Sequence, residues 1–213
     1  MKTRSNQNNL LRRAFTLMEL LVVITLIAVL AAMVLAGAGG ILKKIKRDQI
    51  RNYLAEIDAG LEAYRVDNGI YPLNPDPIDS SGTTSIPGYN GQDGEAVAGA
   101  AVLYKHLSGD FDTDGLVDEK ETVYVDRLDY WSNSDKNGKA PEVVRSVSMG
   151  GSVYLVVDPL GSPVRYLADP PGYTPEQRKT RNPTFDLWSI AGAEPDSEEF
   201  SDQSTWITNW GSQ

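Results

Sequence analysis

Asp110, Asp112 and Asp114 stand at alternate positions, and Gly115, Asp118 and Glu121 follow them. Carboxylates spaced this way in a tight turn can converge on one hard cation, which takes about six to eight oxygen ligands. The stretch 110–121 fits the whole twelve-residue EF-hand loop pattern. It has side-chain oxygens at positions 1, 3 and 5, Gly at 6, the Leu116 carbonyl at 7, Asp118 at the water-bridging position 9 and Glu121 at 12. Calcium is the expected ligand. Asp and Gly also favour an ordinary solvated turn, so a cation loop and an acidic turn both stand as readings.

Other chemistry is scarce. His106 is the only histidine and cysteine is absent, which removes histidine metal clusters, thiol catalysis and disulfides. No nucleophile-elbow or phosphate-binding glycine pattern surrounds the serines, and the many carboxylates single out no acid and base pair. The expectation is a protein that is not an enzyme. His106, late in an expected helix, would act as a cation or cap near its C-terminus. Trp131, Trp188, Trp206 and Trp210 could stack on sugars or anchor loops. The chain carries 20 Lys and Arg against 29 Asp and Glu, a net charge of −9. Such a surface repels phosphate backbones, so nucleic acid is not an expected partner.

The acidic loop needs a scaffold, and the first strong element lies far upstream. Leu20 to Leu42 contains no charged residue. As a helix rising about 1.5 Å per residue it would span roughly 30 Å of hydrocarbon. Lys2, Arg4, Arg12 and Arg13 precede it without an intervening acid, and Lys43, Lys44, Lys46 and Arg47 follow it. A secretory signal peptide cut near Ala36-Gly37-Ala38, a permanent anchor and a processed filament segment all fit this outline. Glu19 sits at the very start of the apolar run, where it could lie at headgroup depth.

The residues Arg12-Arg13-Ala14-Phe15-Thr16-Leu17-Met18-Glu19 closely resemble the processing site of type IV pilins and type II secretion pseudopilins. The resemblance implies cleavage between Ala14 and Phe15 by a prepilin peptidase and methylation of the new amine of Phe15. It also implies a Glu19 that pairs with the amine of a neighbouring subunit. An unmatched carboxylate among packed apolar helices would otherwise be strongly disfavoured. The cut would leave 16 basic against 29 acidic residues, a net charge of −13.

Beyond the apolar run, Ile50, Tyr53, Leu54, Ile57, Leu61 and Tyr64 recur every three or four positions, marking one helix face. Asn68-Gly69 should end that helix and Pro72 prevent its resumption. Gly37, Gly39 and Gly40 mark either a contact or kink, or a place where the helix can stretch. A helix is expected at Glu95–Leu107 and a strand-like run at Thr122–Val125. Strands are expected at Ser152–Val157, Val164–Leu167 and Phe185–Ile190, with turns between them. The phrases at Tyr64–Pro72, Asp158–Tyr166, Phe185–Ala193 and Ile207–Trp210 are similar to those of the major pseudopilins.

The fold class expected is α+β: a long N-terminal helix, half membrane-spanning and half amphipathic, packed on a small antiparallel sheet as in pilin heads. The divisions are a leader at 1–14, a transmembrane and assembly helix at 15–42 and the amphipathic helix of the head at 43–74. An inserted region carrying the calcium loop follows at 75–150, and the sheet with a C-terminal loop at 151–213. Pseudopilins also hold calcium in that last loop. Asp196 and Asp202 are the counterparts here, although Thr205 and Trp206 stand where acids are common.

The resemblance implies a subunit of a type II secretion pseudopilus that assembles with copies of itself and other pseudopilins on an inner-membrane platform. Its bulk would lie in the periplasm. A type IV pilin for adhesion or motility and a secreted calcium-dependent binding protein are the alternatives.

Overall fold

The computed structural model describes residues 16–73, 94–193 and 197–210, with side chains for all of these except 34–42, 94–96 and 137. The chain divides into two units, Met1–Lys44 and Ile45–Gln213. Helix α1, Leu17–Asn68, begins in the first and ends in the second.

In the first unit every large apolar side chain from Leu17 to Met33 is 46–85% exposed. A helix apolar on all faces has no preferred side to turn toward a core. Thr25 is accommodated by bonding its hydroxyl back to the carbonyls of Leu21 and Val22. Among the described residues no helix is long and apolar enough to cross a membrane. The described side chains of the apolar run stop at Met33, and the uncharged run of the sequence continues to Leu42.

The second unit is built on the other half of α1. Ile50, Tyr53, Leu54, Ile57 and Leu61 are buried together, as their spacing requires. The helix ends at Asn68 as expected: Gly69 takes φ +80° and its N–H bonds the Arg65 carbonyl at 2.8 Å. Helix α2, Gly94–Leu107, brings Leu103, Tyr104 and Leu107 into the same core. The region expected as an insertion therefore supplies part of the hydrophobic centre. Gly99 lets α2 lie directly on the backbone of Tyr166.

Among the described residues five strands follow, all antiparallel. β1 (Ser146–Gly150) pairs with β2 (Val153–Val156), and β3 (Arg165–Ala168) pairs with β4 (Phe185–Ser189), which pairs with β5 (Ile207–Thr208). The fold is α+β as expected, but with two small sheets rather than one. β1 falls before the expected start of the sheet. Gly151 and Ser152, both at positive φ, form the two-residue turn that joins β1 to β2. Asp158-Pro159 opens a turn between β2 and β3. Asp158 Oδ1 accepts the N–H groups of Leu160 and Ser162 while Oδ2 accepts the Ser189 hydroxyl, tying the turn to β4.

Thr122–Val125 is not a strand. The N–H groups of Tyr124 and Val125 both bond the Leu107 carbonyl at 3.0 Å, so this segment caps the end of α2 instead of pairing with another strand.

Gly99→Ala tests how tightly α2 is seated. A Cβ there would lie 2.6 Å from the Tyr166 carbonyl oxygen. Since the obstacle is backbone, we expect chemical denaturation to show a loss of about 1–3 kcal/mol.

Candidate functional site

The acidic loop begins where α2 ends. The Ser108 N–H still bonds the Tyr104 carbonyl, Gly109 turns at φ +80°, and Asp110 enters fully buried. A buried carboxylate needs donors, and Asp110 has three. Its Oδ2 accepts the Tyr104 hydroxyl at 2.6 Å and the Gly115 N–H at 2.9 Å, and its Oδ1 accepts the Asp114 N–H at 2.9 Å. The Asp110 N–H is held by the Ser108 hydroxyl.

The other early positions curl around it. Asp112 Oδ1 accepts the Asp114 N–H, and Asp114 Oδ1 accepts the Leu116 N–H. Gly115, at φ +98°, supplies the sharp turn for which the sequence reserved it. An N–H···O bond of 2.9 Å from Asp118 to Gly109 closes the loop at its base. One carboxylate oxygen from each of Asp110, Asp112 and Asp114 lies within 4.8 Å of the others, an arrangement that could hold a metal ion.

Desolvation raises the pKa of Asp110, with the Tyr104 hydroxyl the strongest opposing influence. Asp118 is also raised, by desolvation first and then by the charges of Asp112, Asp114 and Glu121. The later positions of the pattern are arranged differently. Among the described residues, Asp118 and Glu121 stand outside the converging group, and the Leu116 side chain is exposed. No helix follows Glu121 to direct it inward, because the chain returns at once to cap α2.

At the N-terminal end, Glu19 and Thr16 form a reciprocal cap. Glu19 Oε2 accepts the Thr16 N–H at 2.9 Å and the Thr16 hydroxyl at 3.0 Å, while the Glu19 N–H bonds the Thr16 hydroxyl oxygen at 3.2 Å. The sequence carried this signal, a Thr three positions before a Glu where an apolar run begins. Ala14 and Phe15 lie outside the described residues.

Of the two C-terminal acids, Asp202 is the one among the described residues. Asp202 is exposed and caps a short 3-10 turn at Gln203–Thr205, accepting the Ser204 N–H at 2.9 Å. Hydrogen bonds from the Ser204 side chain and backbone hold its carboxyl below the usual range. Asp196 lies outside the described residues.

Trp188 stacks on Trp206 and meets Trp210 edge-on, and Trp206 donates to the Phe200 carbonyl, which makes these rings loop anchors. His106, expected as a cation or cap, lies in the last turn of α2. Burial lowers its pKa, with help from Lys105, and it packs edge-on between Tyr64 and Phe111. Tyr104 carried no readable sign of its role, since nothing in its spacing marks it as the partner of Asp110.

Residues 10–35 match the family of the prokaryotic N-terminal methylation motif. The chain is 36% identical over 61 residues to the type II secretion system core protein G of Klebsiella pneumoniae, covering 29% of this chain and 44% of the relative. The protein of the same name from Pectobacterium carotovorum is 33% identical over 66 residues, 31% of this chain and 42% of the relative. The type IV wide pilus major component PilA4 of Thermus thermophilus is 35% identical over 75 residues, 35% of this chain and 57% of the relative. The chain thus spans about half the length of the curated relatives it matches. No solved structure matches it.

Asp110→Ala would leave the Tyr104 hydroxyl and the Gly115 N–H without their acceptor, while the Asp114 N–H keeps Asp112 Oδ1. Each unsatisfied buried group costs about 1–3 kcal/mol. Thermal unfolding in the presence of a chelator should therefore show a clear fall in melting temperature with no cation involved.

Proposed function

We propose that this chain is a structural subunit of a type II secretion pseudopilus, cut between Ala14 and Phe15 and assembled through the N-terminal half of α1. The observation that carries the reading is the methylation motif over residues 10–35, set at the start of a helix whose large apolar side chains are exposed on every face. Covering such a side chain is worth about 1.5–3 kcal/mol. Lipid before assembly and neighbouring helices afterwards would supply that cover.

The same reading holds the chain in the inner membrane as a single pass through 15–42, with the bulk outside the cytoplasm. Its partners are further copies, other pseudopilins, the prepilin peptidase that removes residues 1–14, and an inner-membrane assembly platform. Glu19 is the assembly residue, since packed apolar helices would accept its charge only against a matching amine. Catalysis has no part in this role. Similarity to the Thermus pilus component supports a second reading, a type IV pilin that forms surface fibres.

The loop 110–121 is proposed to bind calcium through Asp110, Asp112 and Asp114, the Leu116 carbonyl, Asp118 by way of water, and Glu121. The convergence of the first three carboxylates supports this. Calcium's tolerance of irregular oxygen shells suits a loop in which Glu121 must swing in to complete the site. An affinity of about 10⁻⁴–10⁻³ M is expected of an extracytoplasmic module. Protons compete for the same oxygens. Because Asp110 and Asp118 are both raised, binding should weaken on acidification sooner than with ordinary aspartates.

Glu19→Ala tests the assembly role. We expect processing to persist and filaments to disappear, and normal filaments from the variant would refute the pairing of Glu19. Cells lacking the protein should lose export of folded proteins; loss of surface fibres with export intact would favour the pilin reading.

A further inference from the structure

Asp110 is the innermost member of the loop, and its two carboxylate oxygens are not equivalent. Oδ2 already takes two hydrogen bonds, from the Tyr104 hydroxyl and the Gly115 N–H, while Oδ1 takes only the Asp114 N–H. A carboxylate oxygen offers about two in-plane lone pairs. Oδ2 is therefore filled and Oδ1 keeps one position open.

Tyr104 is itself fixed from the other side. Its oxygen accepts the Tyr130 N–H at 2.9 Å, which turns the hydroxyl proton toward Asp110. Its ring is fully buried and stacks on Tyr154, with centroids 5.0 Å apart, and Tyr154 in turn packs on Tyr130 at 5.1 Å. The relay Tyr130 N–H to Tyr104 O–H to Asp110 joins α3 (Tyr130–Asn133), α2 and the loop, and such chains strengthen each bond in them.

We propose that Tyr104 is the positioning residue of the loop: by occupying Oδ2 of Asp110 from a locked ring, it turns Oδ1 toward the divalent cation. This rests on the reading of 110–121 as a calcium loop. Partners that orient a metal ligand typically govern affinity by about 10- to 100-fold.

The test is calorimetric titration of calcium chloride into the full chain in detergent solution, as wild type, Tyr104→Phe and Tyr53→Phe. Tyr53 serves as the control, because its hydroxyl bonds the Arg145 carbonyl rather than the loop. Tyr104→Phe should raise the calcium Kd about 10- to 100-fold, and Tyr53→Phe should leave it unchanged. Equal affinity in Tyr104→Phe and wild type, or an equal loss in both variants, would overturn the positioning role and leave the calcium reading intact. Absence of binding to wild type would overturn the calcium reading and this inference with it. Should Tyr104→Phe fail to fold, wild type decides by amide exchange. Saturating calcium should slow the Tyr130 N–H, and an unchanged rate rejects the relay.

Discussion

The apolar side chains from Leu17 to Met33 are exposed on all sides of α1, and a helix of that character needs cover from lipid or from other helices. That need organises the first unit of the chain. It accounts for a start marked by a reciprocal Thr16–Glu19 cap, where the one carboxylate of the segment has local donors. The second half of the same helix follows the opposite rule. There the apolar residues keep to one stripe, and the head is built against it.

Within the head, the acidic loop joins the site to the core. Asp110 is buried, charged groups are rarely buried without partners, and its partners come from α2 and from the loop's own backbone. The loop's first half is consequently formed by ordinary protein hydrogen bonds. Its second half, from Leu116 to Glu121, has fewer such ties, so a cation would complete an arrangement already half made. α2 thus serves two ends, filling the core with Leu103 and Leu107 and carrying Tyr104 to the loop.

The sequence was most legible where a single local rule decided the outcome. The stripe from Ile50 to Leu61, the Asn68-Gly69 end of α1, the limits of α2 and the strand at Phe185–Ser189 all follow from periodicity or cap chemistry. The convergence of Asp110, Asp112 and Asp114 was legible for the same reason. Thr122–Val125 was misread because its β-branched residues suit a strand, yet the amides of Tyr124 and Val125 are used to cap α2. β1 was missed because Ser146 and Ser148 weaken the apolar pattern, though the Gly-Ser turn after it was a readable sign. Asp202 caps a short turn, a local role that composition does not reveal. The link between Tyr104 and Asp110 depends on how α2, α3 and β2 pack, which spacing does not reveal.

The central proposal is that the apolar half of α1 is an assembly surface whose N-terminus is created by removal of a short leader. Mass spectrometry of the chain recovered from membranes tests this most directly. The account predicts a mature protein beginning at Phe15 and carrying one added methyl group on its amine. A chain that begins near Gly39, or one that retains Met1 through Ala14, would contradict it.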